Sequence, residues 1–196
     1  PGQTYSDIQE AVEDASNGDV ISVDAGTYAQ SISVEDIELL FVAQGDVIIT
    51  GSNRSLFRVE DAVVDVTGFT FEPSGGRGIR ASNATVTLND VTVRDNNTGD
   101  DPYNGAAMAV YDGSSVSVNN STFTNNRSFE NFFSNISNGF GGHIVVRDGD
   151  LTIEDSTFVQ GSANRGGAIH VSEASTLTVA RTTFTSLSAC TCLGVC

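Results

Sequence analysis

Arginine side chains recur at corresponding places along this sequence and are the first candidates for chemistry. Arg58 and Arg80 each stand between apolar residues of a short alternating segment, and Arg147 directly follows another such segment. An arginine on the face of a strand is a candidate base for removing a proton from a substrate. Because its high pKa makes it a poor proton acceptor, the sequence favours exposed polar residues over a catalytic base.

Carboxylates recur at one position, immediately after these segments. Asp112, Asp148 and Glu173 form an acidic column if the segments stack, and Asp61 extends it. Clustered carboxylates can hydrolyse a glycosidic bond when one of them is shielded from water, and hard oxygen ligands suit calcium. Since turn residues are usually hydrated, solvated carboxylates are the favoured interpretation and calcium bridging is the next. No other cofactor is expected.

The two histidines, His143 and His170, lie next to glycine pairs in consecutive repeats. When the glycines are aligned, His143 falls beside Ala168 and His170 beside Val145, so the two imidazoles are not in register. We expect both to face outward. A two-histidine metal site on neighbouring repeats is therefore disfavoured, and no metal site is assigned.

The cysteines Cys190, Cys192 and Cys196 all lie at the C-terminal end of the sequence. Zinc takes four ligands and no histidine lies within this cluster, so metal binding is disfavoured. A disulfide in an oxidising compartment is favoured over free thiols. The odd number of cysteines indicates a partner cysteine beyond the visible end or on another chain.

The N-glycosylation pattern Asn-x-Ser/Thr occurs repeatedly. A chain rich in Asn, Ser and Thr produces such matches by chance, but together with the cysteines they favour an extracellular or cell-surface location. The candidate asparagines are Asn53, Asn83, Asn96, Asn119, Asn120, Asn126 and Asn135.

Two insertions interrupt the repeats and are candidate binding loops. Residues 94–104 are polar and acidic, and contain Asp100, Asp101 and Tyr103. In residues 126–140 the apolar side chains follow helical spacing, which predicts a short helix. These side chains either pack on the side of the protein, which is favoured, or form a patch for a partner protein. They are Phe129, Phe132, Phe133 and Ile136.

The charge of the chain argues against several functions. The 196 residues include nine arginines, no lysine and 25 acidic residues, for a net charge of −16. Phosphate backbones and anionic lipid surfaces repel such a chain, so binding to nucleic acids or membrane surfaces is disfavoured. No apolar run approaches the roughly 18 residues of a membrane-spanning helix. The expected partners are other subunits or domains of an extracellular assembly, or cell-surface glycans.

An eight-residue block recurs along the chain and predicts the fold. Each copy has three residues that alternate apolar, polar, apolar, then two small or polar residues, then a second short strand with an apolar end. The middle residues tolerate a sharp bend, so the chain coils and equivalent strands stack in parallel about 4.8 Å apart. The clear copies are residues 64–71, 86–93, 116–123, 151–158 and 177–184, with a weaker one at 32–39.

A third short strand precedes each block. The sequence therefore predicts an all-β fold, a single-stranded parallel β-helix with three short strands per coil and about six to seven coils. One buried column is expected to contain Phe71, Val93, Phe123, Phe158 and Phe184, and a neighbouring outward column Thr70, Thr92, Thr122, Thr157 and Thr183.

The two ends of the chain differ. Residues Ser6 to Gln9 match a capping box, and the apolar stripe that follows predicts an α-helix that covers the first coil. We divide the chain into a cap helix in residues 1–18, a β-helix in residues 19–188 and a cysteine-rich tail in residues 189–196. No such helix follows Phe184, so we expect that the chain continues or that another molecule covers this end.

Several segments resemble known families. Residues 6–12, 17–28 and 64–71 resemble recurring segments of pectin-lyase-like right-handed β-helix proteins. Residues 123–126 and 166–169 are similar to the F-x-x-N and G-G-A-I repeats of polymorphic outer-membrane adhesins of the autotransporter type. The resemblance implies a right-handed coil. It leaves the activity open, because the same coil is found in lyases, hydrolases, epimerases, adhesins and structural proteins.

Taken together, these patterns favour assembly or binding over catalysis. We expect an extracellular structural or adhesive β-helix segment of a surface or appendage protein, which joins neighbouring subunits or domains through its C-terminal end. The alternative is a polysaccharide-active lyase or hydrolase, or a carbohydrate-binding protein. No catalytic residue is assigned.

Overall fold

The computed structural model describes residues 4–51, 55–72, 75–98, 105–128 and 139–189. In these ranges every strand pairing is parallel. The elements are α1 (Ile8–Asp14), β1 (Asp19–Ala29), β2 (Ile32–Glu35), β3 (Glu38–Thr50), β4 (Ser55–Glu60), β5 (Val63–Phe71), β6 (Arg77–Ser82), β7 (Thr85–Asn89), β8 (Thr92–Arg94), β9 (Met108–Asn119), β10 (Thr122–Thr124), β11 (Arg127–Ser128), β12 (Ile144–Glu154), β13 (Thr157–Val159), β14 (Ser162–Ala163), β15 (Ile169–Ser172), β16 (Thr176–Ala180), β17 (Thr183–Thr185) and β18 (Ser188–Ala189).

Most of the strands stack into three walls, while β11, β14 and β18 form a separate three-stranded parallel sheet. Wall A contains β2, β4, β6, the first parts of β9 and β12, and β15. Wall B contains the first parts of β1, β3 and β5, then β7, the second parts of β9 and β12, and β16. Wall C contains the ends of β1, β3 and β5, then β8, β10, β13 and β17. The predicted parallel β-helix is confirmed, with six complete coils and a first coil formed by β1.

Side chains in equal register form columns inside and outside the walls. The predicted inner column Phe71, Val93, Phe123, Phe158 and Phe184 is paired from coil to coil, and so is the outward threonine column. The ring centroids of Phe123 and Phe158 are 4.6 Å apart, and those of Phe158 and Phe184 are 5.0 Å apart. This stacking adds to the free energy gained by apolar burial.

The bends between walls place single residues in the left-handed backbone region, which explains the frequent Asp and Asn. Between walls B and C these residues are Gly68, Asp90, Asn120, Asp155 and Arg181, with φ between 47° and 83°. After wall A they are Asp36, Asp61, Asn83, Asp112, Asp148 and Glu173. Gly, Asn and Asp adopt this conformation with less strain than other residues. The bend predicted within each block is therefore confirmed.

The glycine pair Gly166–Gly167 lies where two backbone segments come close together. Gly166 has a φ of 67°, in the left-handed region, and a Cβ atom on Gly167 would lie 2.7 Å from the carbonyl oxygen of Ser188. A side chain at either position would strain the backbone or push the segments apart. The pair Gly141–Gly142 has the same role one coil earlier.

The helix α1 packs on β1 and β2 and covers the first coil with its apolar side. Its N-cap is Asp7, whose side chain accepts a hydrogen bond from the backbone N–H of Gln9 at 2.7 Å. The capping box that begins at Ser6 is therefore wrong by one residue, although both residue types suit an N-cap. The Gln9 amide instead accepts from the backbone N–H of Ser33 at 2.8 Å. In the described part of the chain, no helix is long and apolar enough to span a membrane.

Candidate functional site

Wall A carries arginines on its outer surface. Arg58 and Arg80 are register partners on β4 and β6, and Arg58 forms an ion pair with Glu60. The guanidinium carbon of Arg80 lies 5.7 Å from the ring centroid of Tyr111 on β9, within cation–π distance. The Nε atoms of Arg58 and Arg80 are buried and have no hydrogen-bond partner among the described residues. The structure thus brings two of the predicted arginines together.

The arginines continue toward the later coils. Arg147 is the register partner of Tyr111, and its guanidinium carbon lies 5.2 Å from the ring centroid of Phe140. Arg165 lies 5.4 Å from the same ring, and His170 packs on it at 4.6 Å. Burial, together with the charges of Arg147 and Arg165, lowers the pKa of His170.

We call this surface the arginine face. It consists of Arg58, Arg77, Arg80, Tyr111, Phe140, Arg147, Arg165 and His170. Arg77 is buried and donates from Nε to the carbonyl oxygen of Gly105 at 3.1 Å. Because guanidinium groups stay protonated, the face can attract a carboxylate or sulfate but is poorly suited to remove a proton. Sequence reasoning missed Arg77 and Tyr111 on the strands of wall A, and Phe140 and Arg165, which lie outside those strands.

The predicted acidic column occupies equivalent bends after wall A. Asp112, Asp148 and Glu173 have φ values of 55°, 53° and 63°, and Asp112 accepts a hydrogen bond from the hydroxyl of Ser82. Within the ranges that the structure describes, no group of three or more His, Cys, Asp and Glu side chains is arranged to hold a metal ion. The calcium site stays a prediction without support from this geometry. The left-handed backbone alone accounts for Asp112 and Asp148.

The prediction that both histidines face outward is wrong for His143, which is fully buried. Its ring lies edge-on to Phe158 at 5.5 Å and to Phe123 at 6.3 Å. Its Nδ1 atom is 3.0 Å from Nδ2 of Asn126, which can only donate, so Nδ1 accepts and Nε2 carries the proton. Nε2 has no partner among the described residues, and burial lowers the pKa of His143 to about 3.

Asn126 belongs to a buried asparagine ladder. Its Oδ1 accepts from the backbone N–H of Asn96 at 3.1 Å and from Nδ2 of Asn96 at 3.0 Å, and its Nδ2 donates to the carbonyl of Val93 at 2.8 Å. The next position in the ladder is Gly161, where a Cβ atom would lie 2.5 Å from Nε2 of His143. The imidazole ring therefore occupies the space that a further asparagine side chain would fill. The glycine at this ladder position, Gly161, is the sequence feature that could have indicated it.

Burial corrects two of the predicted glycosylation sites. Asn96 and Asn126 are at most 1% exposed and their amides are bonded inside the coil, so neither can carry a glycan in the folded protein. Asn83 and Asn120 are exposed and donate to Asp61 and to Asp90, and glycosylation at these two stays a prediction. Asn119 is half-buried on β9 and donates from Nδ2 to Oδ1 of Asn89 at 3.0 Å, and glycosylation there also stays a prediction. The remaining candidates lie outside the described residues: Asn53, Asn135, Asp100, Asp101, Tyr103, Phe129, Phe132, Phe133, Ile136, Cys190, Cys192 and Cys196.

The last coil exposes residues that continue the buried columns. We call Leu177, Val179, Phe184 and Leu187 the end face; their exposed fractions are 40%, 41%, 38% and 37%. The register partners of the first three, one coil earlier, are at most 1% exposed: Leu151, Ile153 and Phe158. Among the described strands, β15 to β18 each pair on one side only. The end face is therefore apolar and bordered by unpaired strand edges.

Comparison with known proteins agrees with this architecture. The family described as a right-handed β-helix region matches residues 21–193. Among curated proteins, none matches the sequence. The family match extends from β1 through β18 and specifies the right-handed coil that the resemblance implied. This chain belongs to the right-handed β-helix family.

Proposed function

We propose that this chain is an extracellular structural or adhesive β-helix segment of a surface or appendage protein, and that it assembles with neighbouring subunits or domains. The observation that carries the proposal is the end face. Its side chains have the register and chemistry of core residues, but they are more than one-third exposed. A second coil placed on the end face would bury them and pair the strand edges of β15 to β18.

The sequence supports the location and the adhesive character of this proposal. The cysteines Cys190, Cys192 and Cys196 favour an oxidising compartment, and the exposed sequons at Asn83 and Asn120 agree with it. The likeness to polymorphic outer-membrane adhesins rests on residues 123–126 and 166–169. The sequence also predicts binding loops in the insertions at residues 94–104 and 126–140, and recognition residues are commonly found in such loops.

The assembly is tested by placing a charge in the end face. Val179→Glu puts a carboxylate among apolar contacts, so self-association of the chain should weaken at least about tenfold. Thr178→Glu is the matched control, because Thr178 is the neighbouring outward residue of β16 and adds the same charge outside the interface. Sedimentation velocity over a concentration series, with and without a reductant, measures both variants.

Two results would contradict assembly through the end face. A wild-type chain that stays monomeric at its highest soluble concentration, with three free thiols, would count against it. Equal weakening by Val179→Glu and Thr178→Glu would show a general charge effect and would place the contact away from the end face.

A second candidate function is binding or processing of an acidic polysaccharide, favoured by the arginine face. The unpartnered Nε atoms of Arg58 and Arg80 point to an anionic ligand, in a chain whose net charge is −16. We expect Arg80→Gln to weaken binding of uronate oligosaccharides about tenfold, because one charge-assisted hydrogen bond contributes roughly 1.5–3 kcal/mol. Calorimetry with and without calcium measures the binding, and analysis of the oligosaccharide length detects cleavage.

The control for this candidate is Arg94→Gln. Arg94 is an arginine of wall C that forms an ion pair with Glu72, so its loss removes the same charge from a different wall. Wild-type protein that binds no uronate oligosaccharide, or equal losses in the Arg80 and Arg94 variants, would rule out recognition by the arginine face.

A further inference from the structure

A cleft of about 490 Å³ lies between the helix α1 and the strand β1, at the first coil. Apolar side chains from both elements line this N-terminal cleft, including Ala11, Ala15, Val20, Ile21 and Val23. Ile21 and Val23 are buried, whereas Val20 is 58% exposed. The helix thus covers the core of the first coil but leaves one side of β1 open to solvent.

The open side of β1 presents backbone groups to the cleft. Among the described strands, β1 pairs with β3 alone, so its other edge has no partner strand. The hydroxyl of Tyr28, which lines the cleft, donates to the carbonyl of Asp24 at 2.8 Å, so this carbonyl faces the cleft. Alternate residues of a strand direct their backbone groups to the same side, so those of Val20 and Ser22 face it too. A free edge of this kind can pair with an extended segment of another chain.

The surroundings of the cleft are strongly acidic. Residues 1–53 contain ten of the 25 acidic residues of the chain and none of its nine arginines. Among the described residues, no basic side chain lines the cleft. Four carboxylates line it: Asp7, Asp14, Asp19 and Asp24.

Two of these carboxylates bind the backbone of their own segment. Asp7 is the N-cap of α1, and Asp19 accepts from the backbone N–H of Ser16 at 2.8 Å. Asp14 is exposed and accepts from the hydroxyl of Tyr5 at 3.3 Å. Partial desolvation, together with the charges of Asp14 and Asp19, raises the pKa of Tyr5, so a negative potential acts at the cleft. A cationic side chain is therefore the favoured neighbour for this surface.

We propose that the N-terminal cleft binds an extended segment of a partner protein, which has arginine or lysine at alternate positions and adds as a strand to the free edge of β1. Its backbone pairs with Val20 and Ser22. Its basic side chains meet the carboxylates of Asp14 and Asp24, and the apolar residues between them pack on the side of α1 near Ala15. Backbone hydrogen bonds supply affinity in this mode of recognition, and the alternating side chains supply specificity.

The charge also decides between a basic partner and a second copy of this chain. Two copies that paired through β1 would bring two acidic ends together, and like charges placed side by side disfavour such a contact. A basic segment meets the opposite charge. The cleft belongs to the first coil and the end face to the last one, so this proposal and the proposed assembly can fail separately.

Fluorescence anisotropy with a labelled seven-residue peptide of alternating arginine and valine tests the binding. The whole chain should bind it with a Kd of roughly 100 μM or less at physiological salt, and should not bind the same peptide with glutamate in place of arginine. Replacing both Asp14→Asn and Asp24→Asn should weaken binding about tenfold, because one exposed ion pair contributes up to about fivefold in affinity.

The matched control replaces two carboxylates outside the cleft. Asp65 and Asp148 are exposed and belong to later coils, so Asp65→Asn with Asp148→Asn removes the same charge from the chain. This variant should change the affinity by less than about twofold. An equal loss in the two double variants would show attraction to the overall charge and would overturn the proposal.

Strand addition is tested with peptides that are N-methylated at alternate residues. Only one side of the added strand pairs with β1, so methylation of one alternate set should abolish binding and methylation of the other set should leave most of it. Equal effects of the two sets contradict strand addition. Absence of binding to the wild-type chain, or equal binding of the arginine and glutamate peptides, also overturns the proposal.

The wild-type chain gives a decision if the double variant of Asp14 and Asp24 does not fold. On addition of the arginine peptide, the backbone amide resonances of residues 11–24 should shift, while those of residues 144–185 stay constant. Shifts confined to other parts of the chain would place the contact elsewhere and contradict the proposal.

Discussion

Asn126→Ala is expected to lower the free energy of unfolding by about 3–5 kcal/mol. The Asn126 amide bonds to Asn96, to the carbonyl of Val93 and to Nδ1 of His143, all inside the coil. Alanine leaves those groups without their partner, and each buried polar group that loses its partner costs about 1–3 kcal/mol. Urea-induced unfolding followed by far-ultraviolet circular dichroism measures the loss.

The neighbouring residue provides a matched control. Asn125 is exposed, has a φ of 51° and donates to Asp95 at 2.6 Å. Asn125→Ala removes one surface hydrogen bond and puts alanine in the left-handed region, so a loss of about 1–2 kcal/mol is expected. If Asn125→Ala and Asn126→Ala reduce stability equally, the buried ladder does not have the role assigned to it.

The coil could be predicted from the sequence because stacking repeats the same environment in every turn. Each inner position meets the same position of the next coil, so Phe123, Phe158 and Phe184 recur at fixed places in the block. The bends recur for the same reason, since each one needs a left-handed residue and most of them contain Asn, Asp or Gly, with Glu173 and Arg181 of the last coil as exceptions. Because of this repetition, the strand register, the three walls and the bends could be predicted from the sequence.

The position of His143 could not be predicted in this way, because the residue lies outside the alternating strands. It follows the glycine pair Gly141–Gly142, where alternation does not specify which residues point inward. Its environment is set by Asn126 and by the absence of a side chain at Gly161. These two residues lie in the bends that follow wall C in successive coils. Such a contact depends on three positions distant in sequence, and no single periodicity reports it.

The glycosylation pattern failed at Asn96 and Asn126 for a related reason. A three-residue pattern reports which residues are adjacent, but it does not report which way the amide points. Both amides point inward because the bend after wall C leaves backbone groups that need partners, including the carbonyl of Val93. The F-x-x-N and G-G-A-I patterns are also explained by positions inside the coil. Phe123 and Asn126 of F-x-x-N are core residues, and the glycines of G-G-A-I allow close backbone contact.

Phe158→Ala is expected to lower the free energy of unfolding by about 3–5 kcal/mol, through lost burial and a cavity in the core. The ring is fully buried and touches aromatic neighbours on three sides: Phe123 at 4.6 Å, Phe184 at 5.0 Å and His143 at 5.5 Å. Two stacked pairs and one edge-on pair add to the apolar term. Urea unfolding at neutral pH, where His143 stays neutral, measures the loss.

Phe184→Ala gives the comparison that separates a core ring from an end-face ring of the same column. Phe184 stacks on Phe158 alone among the described aromatic residues and is 38% exposed, so its truncation should reduce stability by about 1–2 kcal/mol in the monomer. In an assembled sample Phe184 becomes a core residue, and its truncation should approach the loss seen for Phe158→Ala. If Phe184→Ala already reduces the stability of the dilute monomer as much as Phe158→Ala does, the aromatic column is covered without a partner. Assembly through the end face would then lose its main support.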